Sequence, residues 1–323
     1  MEKIKQFLGI DISKNTFDVY HPKSGHAQFE NNHKGFDAFA KTLDQISHCV
    51  METTGSYHYQ LAVFLYNHEF AVSVVNPLVI KRFIQMKLQR TKTDKSDARM
   101  IYQYGVEQMV EPWEPEPYYI EVCKMLQSVT QSYFKQSTAL KNKIHSLSSK
   151  GITQGILIRS LKRQVLRLKK EIKSLEGEIE KLIKQHDQQL YTNLSMIPGI
   201  GRKTALLLIS TTNGFRSFET SGQLSAYFGL APTERSSGTS INGRSRISKA
   251  GNPKVRNYLF LCSFTACKRN PQCKALFDRI VAKGKSKKLA LIAVANKLIK
   301  QTFAVAKSGI PYDSNYRSVL TIV

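Results

Sequence analysis

Acidic residues are scarce in this sequence: 24 Asp and Glu stand against 48 Lys and Arg in 323 residues, for a net charge of +24 and a pI near 9.8. That imbalance lies far outside what solubility requires, and a polyanionic partner is the economical explanation. The shortage is steepest at the end, where residues 191–323 carry 21 bases and four acids. Cysteine is also sparse and odd in number (Cys49, Cys123, Cys262, Cys267 and Cys273), with no C-x-x-C pair. This argues against a disulfide framework and a zinc site, and the five read as reduced, buried thiols. No run approaches the ~18 apolar residues of a membrane span, and the first residues lack the apolar stretch of a signal peptide, so a cytoplasmic protein without a membrane partner is expected.

What is present begins with short apolar runs. A strand ends at Asp11, a second runs from Thr16 to Tyr20, and a third lies near Ala27 to Glu30. Phe36, Phe39, Ala40 and Leu43 then recur at helical spacing. A strand over Cys49–Glu52, a helix over Tyr57–Asn67 and a strand over Ala71–Val75 follow, closed by Asn76-Pro77. Three strands, helix, strand, helix, strand is the order of a ribonuclease H-like sheet. The Pro- and Glu-rich stretch 111–117 marks a boundary.

Beyond it the pattern is helical. Ile158, Val165, Ile172 and Ile179 hold one heptad position, and Leu161, Leu168, Leu175 and Leu182 hold the other. Such a stripe suits a parallel two-stranded coiled coil between chains, and equally a seam inside one chain. An earlier run with Leu126, Val129, Tyr133, Leu140, Ile144 and Leu147 can fold back on it through a turn within residues 148–155. The expected organisation is therefore α/β plus α: an α/β domain over residues 1–115, a helical coiled-coil linker over 116–188, and a mostly helical basic domain over 189–323.

Four carboxylates carry the first candidate chemistry. Asp11 ends the first strand and Glu52 ends the fourth, which are neighbours in a ribonuclease H-like sheet. Asp94 and Asp97 are three apart, on one face of a helix. Four converging carboxylates repel unless cations compensate, and two Mg²⁺ ions about 3.5–4 Å apart would do so while clamping the attacking and leaving oxygens of a phosphodiester. A Gly-Ile-Asp strand end also opens actin-like sugar kinases, but those need Gly-rich phosphate loops, and Gly284-Lys285-Ser286 has Arg279 where a P-loop needs its first glycine.

Two further segments lie in the basic region. Ile197-Pro-Gly-Ile-Gly-Arg-Lys-Thr-Ala205 has the form of a helix-hairpin-helix whose Arg202, Lys203 and Thr204 can meet a phosphate without reading bases. Residues 235–252 are crowded with hydroxyls and cations, among them Arg235, Arg244, Arg246 and Lys249. A serine attacking a phosphodiester there would form a protein–DNA ester of similar energy, allowing rejoining without ATP. The residues themselves do not choose among Ser236, Ser237, Ser240, Ser245 and Ser248. A phosphate-contacting loop is the plainer alternative.

Together, Gly-Ile-Asp, Glu-Thr-Thr-Gly, Lys-Thr-Asp-Lys-Ser-Asp-Ala, Ile-Pro-Gly-Ile-Gly and Ser-Gly-Thr-Ser followed by Ile-Ser-Lys-Ala-Gly-Asn resemble the DEDD transposases of bacterial insertion sequences, relatives of the pilin-gene invertases. The resemblance runs nearly the whole chain. It implies a RuvC-like domain in which Asp11, Glu52, Asp94 and Asp97 hold Mg²⁺ or Mn²⁺, then a transposase domain in which Ser237, before Gly238, is the nucleophile. It further implies donor and target DNA, a structured bridge RNA that pairs with both, a dimer or tetramer, and association with the bacterial nucleoid. The competing enzyme reading is a RuvC-like, structure-selective nuclease that attacks with metal-activated water.

Overall fold

The computed structural model describes residues 6–53, 55–88, 93–108, 110–152, 155–237, 241–248 and 250–315, with the backbone alone between residues 233 and 246. The chain divides into two units, Met1–Pro115 and Glu116–Val323.

The first unit is built on a five-stranded sheet. Strand β1 (Gln6–Ile12) pairs antiparallel with β2 (Thr16–His21), and β2 pairs antiparallel with β3 (Gly25–Glu30). On its other side β1 pairs parallel with β4 (Ser47–Glu52), which pairs parallel with β5 (Ala71–Val75), giving the order β3-β2-β1-β4-β5. Helices α1 (His33–Ala40), α2 (Tyr57–Asn67), α3 (Pro77–Met86) and α4 (Asp94–Glu107) complete the unit.

Side chains on a strand alternate between faces, and in β1 the two sets meet different cores. Leu8, Ile10 and Ile12 join Phe17, Phe36, Phe39, Leu61 and Leu65 in the larger cluster, roofed by α1 and α2. Phe7 packs instead with Val50, Ile80 and Ile101, on the face covered by α3 and α4. The same alternation puts Gly9 and Asp11 on that second face. Asp11 thus shares a side of the sheet with α4.

The strand order and α2 match the expectation, whereas α3 was not foreseen. Asn76-Pro77 reads as a stop, but Asn76 Oδ1 accepts from the Leu78 N–H at 2.9 Å and Pro77 takes the first helical position. It is a helix start. The Pro-rich stretch after α4 runs back beside β5: the Trp113 N–H donates to Val72 O at 2.7 Å, and the Ser73 hydroxyl donates to Glu111 O at 2.6 Å.

The second unit opens with two long helices, α5 (Tyr118–Ser149) and α6 (Gly155–Ser195), which turn back on each other as an antiparallel hairpin. The heptad stripe packs within the chain. Val165, Ile172 and Ile179 are buried, while Leu161, Leu168, Leu175 and Leu182 are half-buried. Helices α7 (Arg202–Thr211), α8 (Ser221–Tyr227), α9 (Pro253–Arg269), α10 (Pro271–Ala282) and α11 (Lys287–Ser308) follow. Ile120, Cys123, Ile179 and Ile183 of the hairpin enter the same core as α7, α9 and α11.

The stretch rich in hydroxyls and cations over residues 235–252 lies largely in a ribbon: β6 (Pro232–Ser237) and β7 (Ile241–Ile247) pair antiparallel, so the plainer alternative of a phosphate-contacting loop does not describe those two segments. The expectation that no stretch approaches a membrane span is corrected by α11, which is long and apolar enough to cross a membrane by length and composition. Half of that window is buried, and Ala290, Val294, Leu298 and Ile299 lie in the core, as expected of a central helix.

Candidate active site

The carboxylate site assembles at the carboxyl end of β1. The β1–β4 register pairs Ile10 with Met51, so Asp11 and Glu52 follow as the next residue on each strand. Asp94 and Asp97 are in the first turn of α4. Thr93 caps that helix: its hydroxyl accepts from the Ser96 N–H at 3.2 Å, and Ser96 Oγ accepts from the Thr93 N–H at 2.9 Å. A capped helix start carries partial positive charge, which favours carboxylates there.

What aims α4 at Asp11 is Gly9. A Cβ on Gly9 would lie 2.1 Å from Ala98 O and 2.2 Å from Tyr102 N, and a Cβ on Gly105 would lie 2.8 Å from Val50 Cγ2. The helix therefore lies on the strand backbone, at a distance only glycine permits. That contact brings Asp94 and Asp97 into the field of Asp11.

The electrostatics register the convergence. The Asp11 carboxyl is pushed up from 3.8 to about 7, first by burial and then by the charges of Glu52, Asp97, Asp94 and Asp18. Asp18 was not foreseen. It stands directly opposite Asp11 in the β1–β2 register and is 5% exposed. His26 Nε2 lies 2.6 Å from its Oδ1, and the Gln28 amide donates to both its oxygens at 3.3 and 3.2 Å. The sequence signal for it was the pairing register, which single strands do not display.

The residues suit a hard cation in kind, because all four are carboxylates and Asp11 is destabilised as an anion by its neighbours. Among the described residues, however, no three His, Cys, Asp or Glu side chains are gathered closely enough to hold one ion. The set converges electrostatically without forming a closed ligand cage.

In the second unit the turn over residues 196–201 leads into α7, whose first two residues are Arg202 and Lys203. Both are more than half exposed and held by α6: Lys203 Nζ is 2.7 Å from Glu176 Oε1, and Arg202 pairs with Glu180. Thr204 points the other way. It is 4% exposed, with its hydroxyl 3.2 Å from Cys262 Sγ, so the side chain expected to meet a phosphate is turned into the core.

Ser237 is the last residue of β6, paired with Ile241, while Ser236 pairs with Asn242 and Arg235 with Gly243. Arg244 and Arg246 are in β7, with Arg246 opposite Thr233. Gly238 to Ser240 and Lys249 fall outside the described residues. The foot of the ribbon is anchored where two glycines meet neighbouring backbone. A Cβ on Gly229 would lie 1.9 Å from Ala250 O, and one on Gly251 would lie 1.9 Å from Tyr227 O. Arg256 ties the junction by donating to Phe228 O at 3.0 Å.

Comparison with known proteins gives two matches in order, the first running past the boundary at Pro115 to the end of α5. Residues 8–149 match a transposase domain of the DEDD IS110 type, and residues 191–278 match the Transposase IS116/IS110/IS902 family. The pilin gene-inverting protein of Moraxella lacunata is 31% identical over 322 residues, covering 96% of this chain and 98% of that protein. The transposase for insertion sequence element IS1111A of Coxiella burnetii is 23% identical over 337 residues, covering 92% and 88%. With near-complete coverage at that identity and two family matches in order, the chain belongs to the IS110/IS116/IS902 family of insertion-sequence transposases, enzymes of DNA recombination.

Proposed function

We propose that this transposase cuts and rejoins DNA through an ester between Ser237 and a DNA phosphate, assisted by divalent cations at Asp11, Glu52, Asp94 and Asp97 and guided by a structured bridge RNA. The observation that carries the reading is the Asp11 carboxyl held near 7 by burial and then by the charges of Glu52 on β4 and Asp97 and Asp94 on α4. The sheet order, with β2 antiparallel to both neighbours and β1, β4 and β5 parallel, supports a ribonuclease H-like, RuvC-like domain. Residues 1–115 form that domain, 116–188 the linker and 189–323 the transposase domain.

Bound Mg²⁺ or Mn²⁺ would neutralise charge on the phosphate and steady the oxygens that attack and leave. The protein's own part is positional. Asp11 and Glu52 sit at adjacent strand ends, and Asp94 and Asp97 arrive on a capped helix, so all four are held by regular backbone. In the serine step Oγ of Ser237 bonds phosphorus and gives up its proton, while a sugar oxygen departs with the bonding electron pair and takes up a proton to leave as a hydroxyl. Reversal with a new sugar hydroxyl restores the serine. Arg235, Arg244, Arg246 and Lys249 supply the cations that a charged phosphorane needs. Arg202 and Lys203 bind backbone phosphate by exchanging their glutamates for it.

Breaking and rejoining four strands calls for a dimer or tetramer, acting in the cytoplasm on nucleoid DNA. The test is a denaturing gel of protein with labelled donor DNA in Mg²⁺. Wild type should yield a covalent adduct, Ser237→Ala none, and Ser236→Ala a normal one. Strand cleavage by wild type with no adduct would replace the serine with metal-activated water and make the enzyme a structure-selective nuclease.

A further inference from the structure

Where α5, α6, α7 and α9 meet they leave an open cavity of about 350 Å³ that has Arg202 and Lys203 on its rim and an aromatic and apolar lining that the proposed reaction does not use. Besides Gln127 and Thr130, its lining side chains are of two kinds. Core side chains Ile179, Leu206 and Leu207 make it apolar, and Phe134 and Tyr258 add two aromatic rings. Around them stand Lys173, Arg202, Lys203 and Lys254, against the single carboxylate of Glu176.

Lys203 joins the two halves. Its Nζ lies 5.9 Å from the centre of the Phe134 ring while it pairs with Glu176. Lys254 is half-buried and, among the described residues, forms no ion pair; burial lowers its pKa, with Glu176 opposing. A half-buried ammonium without an ion pair is costly for a purely structural role. An entering anion would offset that cost.

Gly177 is an independent sign. It lies in the middle of α6, where glycine is a poor helix former, and a Cβ placed on it meets nothing within 4 Å. No packing neighbour therefore requires a glycine there. It lines the cavity, and any side chain at that position would narrow the opening.

We propose that this cavity receives one unstacked nucleotide of a single-stranded nucleic acid, with the base against Phe134 and Tyr258 and the phosphate between Lys203 and Lys254. The volume lies at the low end of small-molecule pockets, about 300–1,000 Å³. Aromatic rings beside cations are the combination with which proteins hold single strands, since every base has a face to stack. A duplex phosphate would leave the apolar floor unused, and an apolar ligand would leave Lys173 and Lys254, which form no ion pair among the described residues, without an anion. Recombination exposes single-stranded DNA, and a structured RNA exposes loops, so the sugar stays open. The inference rests on the action of the family on nucleic acid and not on Ser237 or the metal.

The test is fluorescence anisotropy of the full-length protein in EDTA with labelled single strands of about 12 nucleotides, as DNA and as RNA, and with a fully paired duplex. Gly177→Met fills the mouth with a better helix former, so its melting temperature should equal or exceed that of wild type. Phe134→Ala removes an exposed ring. Both should weaken single-strand binding about tenfold and leave duplex binding unchanged. The larger loss, for DNA or for RNA, identifies which strand occupies the cavity. Equal losses for single strands and duplex, or no loss in either variant, would overturn the proposal. So would competition by inorganic phosphate as strong as that by a nucleoside monophosphate. These readouts need no recombination, so a missing serine adduct would leave them standing.

Discussion

Gly9 and Ala98 meet backbone to backbone: a Cβ on Gly9 would lie 2.1 Å from the Ala98 carbonyl oxygen. Through this contact a strand and a helix far apart in sequence present their carboxylates to one another. The glycine of the Gly-Ile-Asp motif is therefore a spacer for α4 as much as a lead-in to Asp11.

Gly9→Ala is expected to push α4 off the sheet. Overpacking typically costs about 1–3 kcal/mol, and a clash with helix backbone sits at the upper end because no rotamer relieves it. Chemical denaturation should show that loss, and metal-dependent activity should fall further than stability alone explains. A variant with wild-type stability would mean that the helix can retreat freely.

Asp11→Asn should stabilise the metal-free protein at neutral and higher pH. The carboxyl titrates near 3.8 when unperturbed and at about 7 in the fold, so its contribution is fully present below 3.8 and is lost as pH rises through 7. In EDTA the wild-type melting temperature should therefore fall relative to the variant across that window. Added Mg²⁺ should reverse the order above it. Parallel pH profiles for the two proteins would remove Asp11 from a repulsive cluster.

Ile172→Ala should cost about 2–5 kcal/mol, the usual range for a buried large-to-small change. Ile172 is 6% exposed within a single chain, so the loss should be independent of protein concentration in thermal melts. A loss that shrank on concentrating the protein would place this position in a contact between chains.

Arg216→Ala leaves the Asp187 carboxylate without its cation. Asp187 lies at a break in α6, with φ −133° and ψ 40°, and its side chain is 8% exposed. Arg216 reaches it at 2.9 Å, and the Tyr119 hydroxyl donates to its other oxygen. Because half of Arg216 is in water, the cost should be about 1.5–3 kcal/mol rather than that of a fully buried pair. Arg216→Lys should recover only part of it, since one ammonium does not reproduce the guanidinium fork. Full recovery would reduce the contact to simple charge.

Much of this was legible in one dimension. Short apolar runs over Gln6–Asp11 and Thr16–Tyr20 mark strands, the residues of Tyr57–Asn67 mark α2, and the 21 bases of residues 191–323 mark a polyanion partner. Each of these signals is local, a period or a count that a short window contains. Asp11 and Glu52 became neighbours on paper because the element order implies which strands adjoin.

The rest depended on which surfaces meet, and no window contains that. Residues 235–252 are crowded with hydroxyls and cations and carry no apolar period, so nothing local marks β6 and β7 as strands, and cross-strand pairing makes the ribbon. Thr204 sits between exposed Lys203 and buried Ala205, and only the packing of α7 on α9 sends its hydroxyl to Cys262. Asp18 entered the site because antiparallel register set it opposite Asp11. The sequence by itself determined the elements, their order and the sign of the surface, since those follow from local periodicity and charge. Tertiary structure alone decided which carboxylates share a field and which face of the heptad stripe is covered, because register and burial are properties of pairs that the chain brings together only by folding.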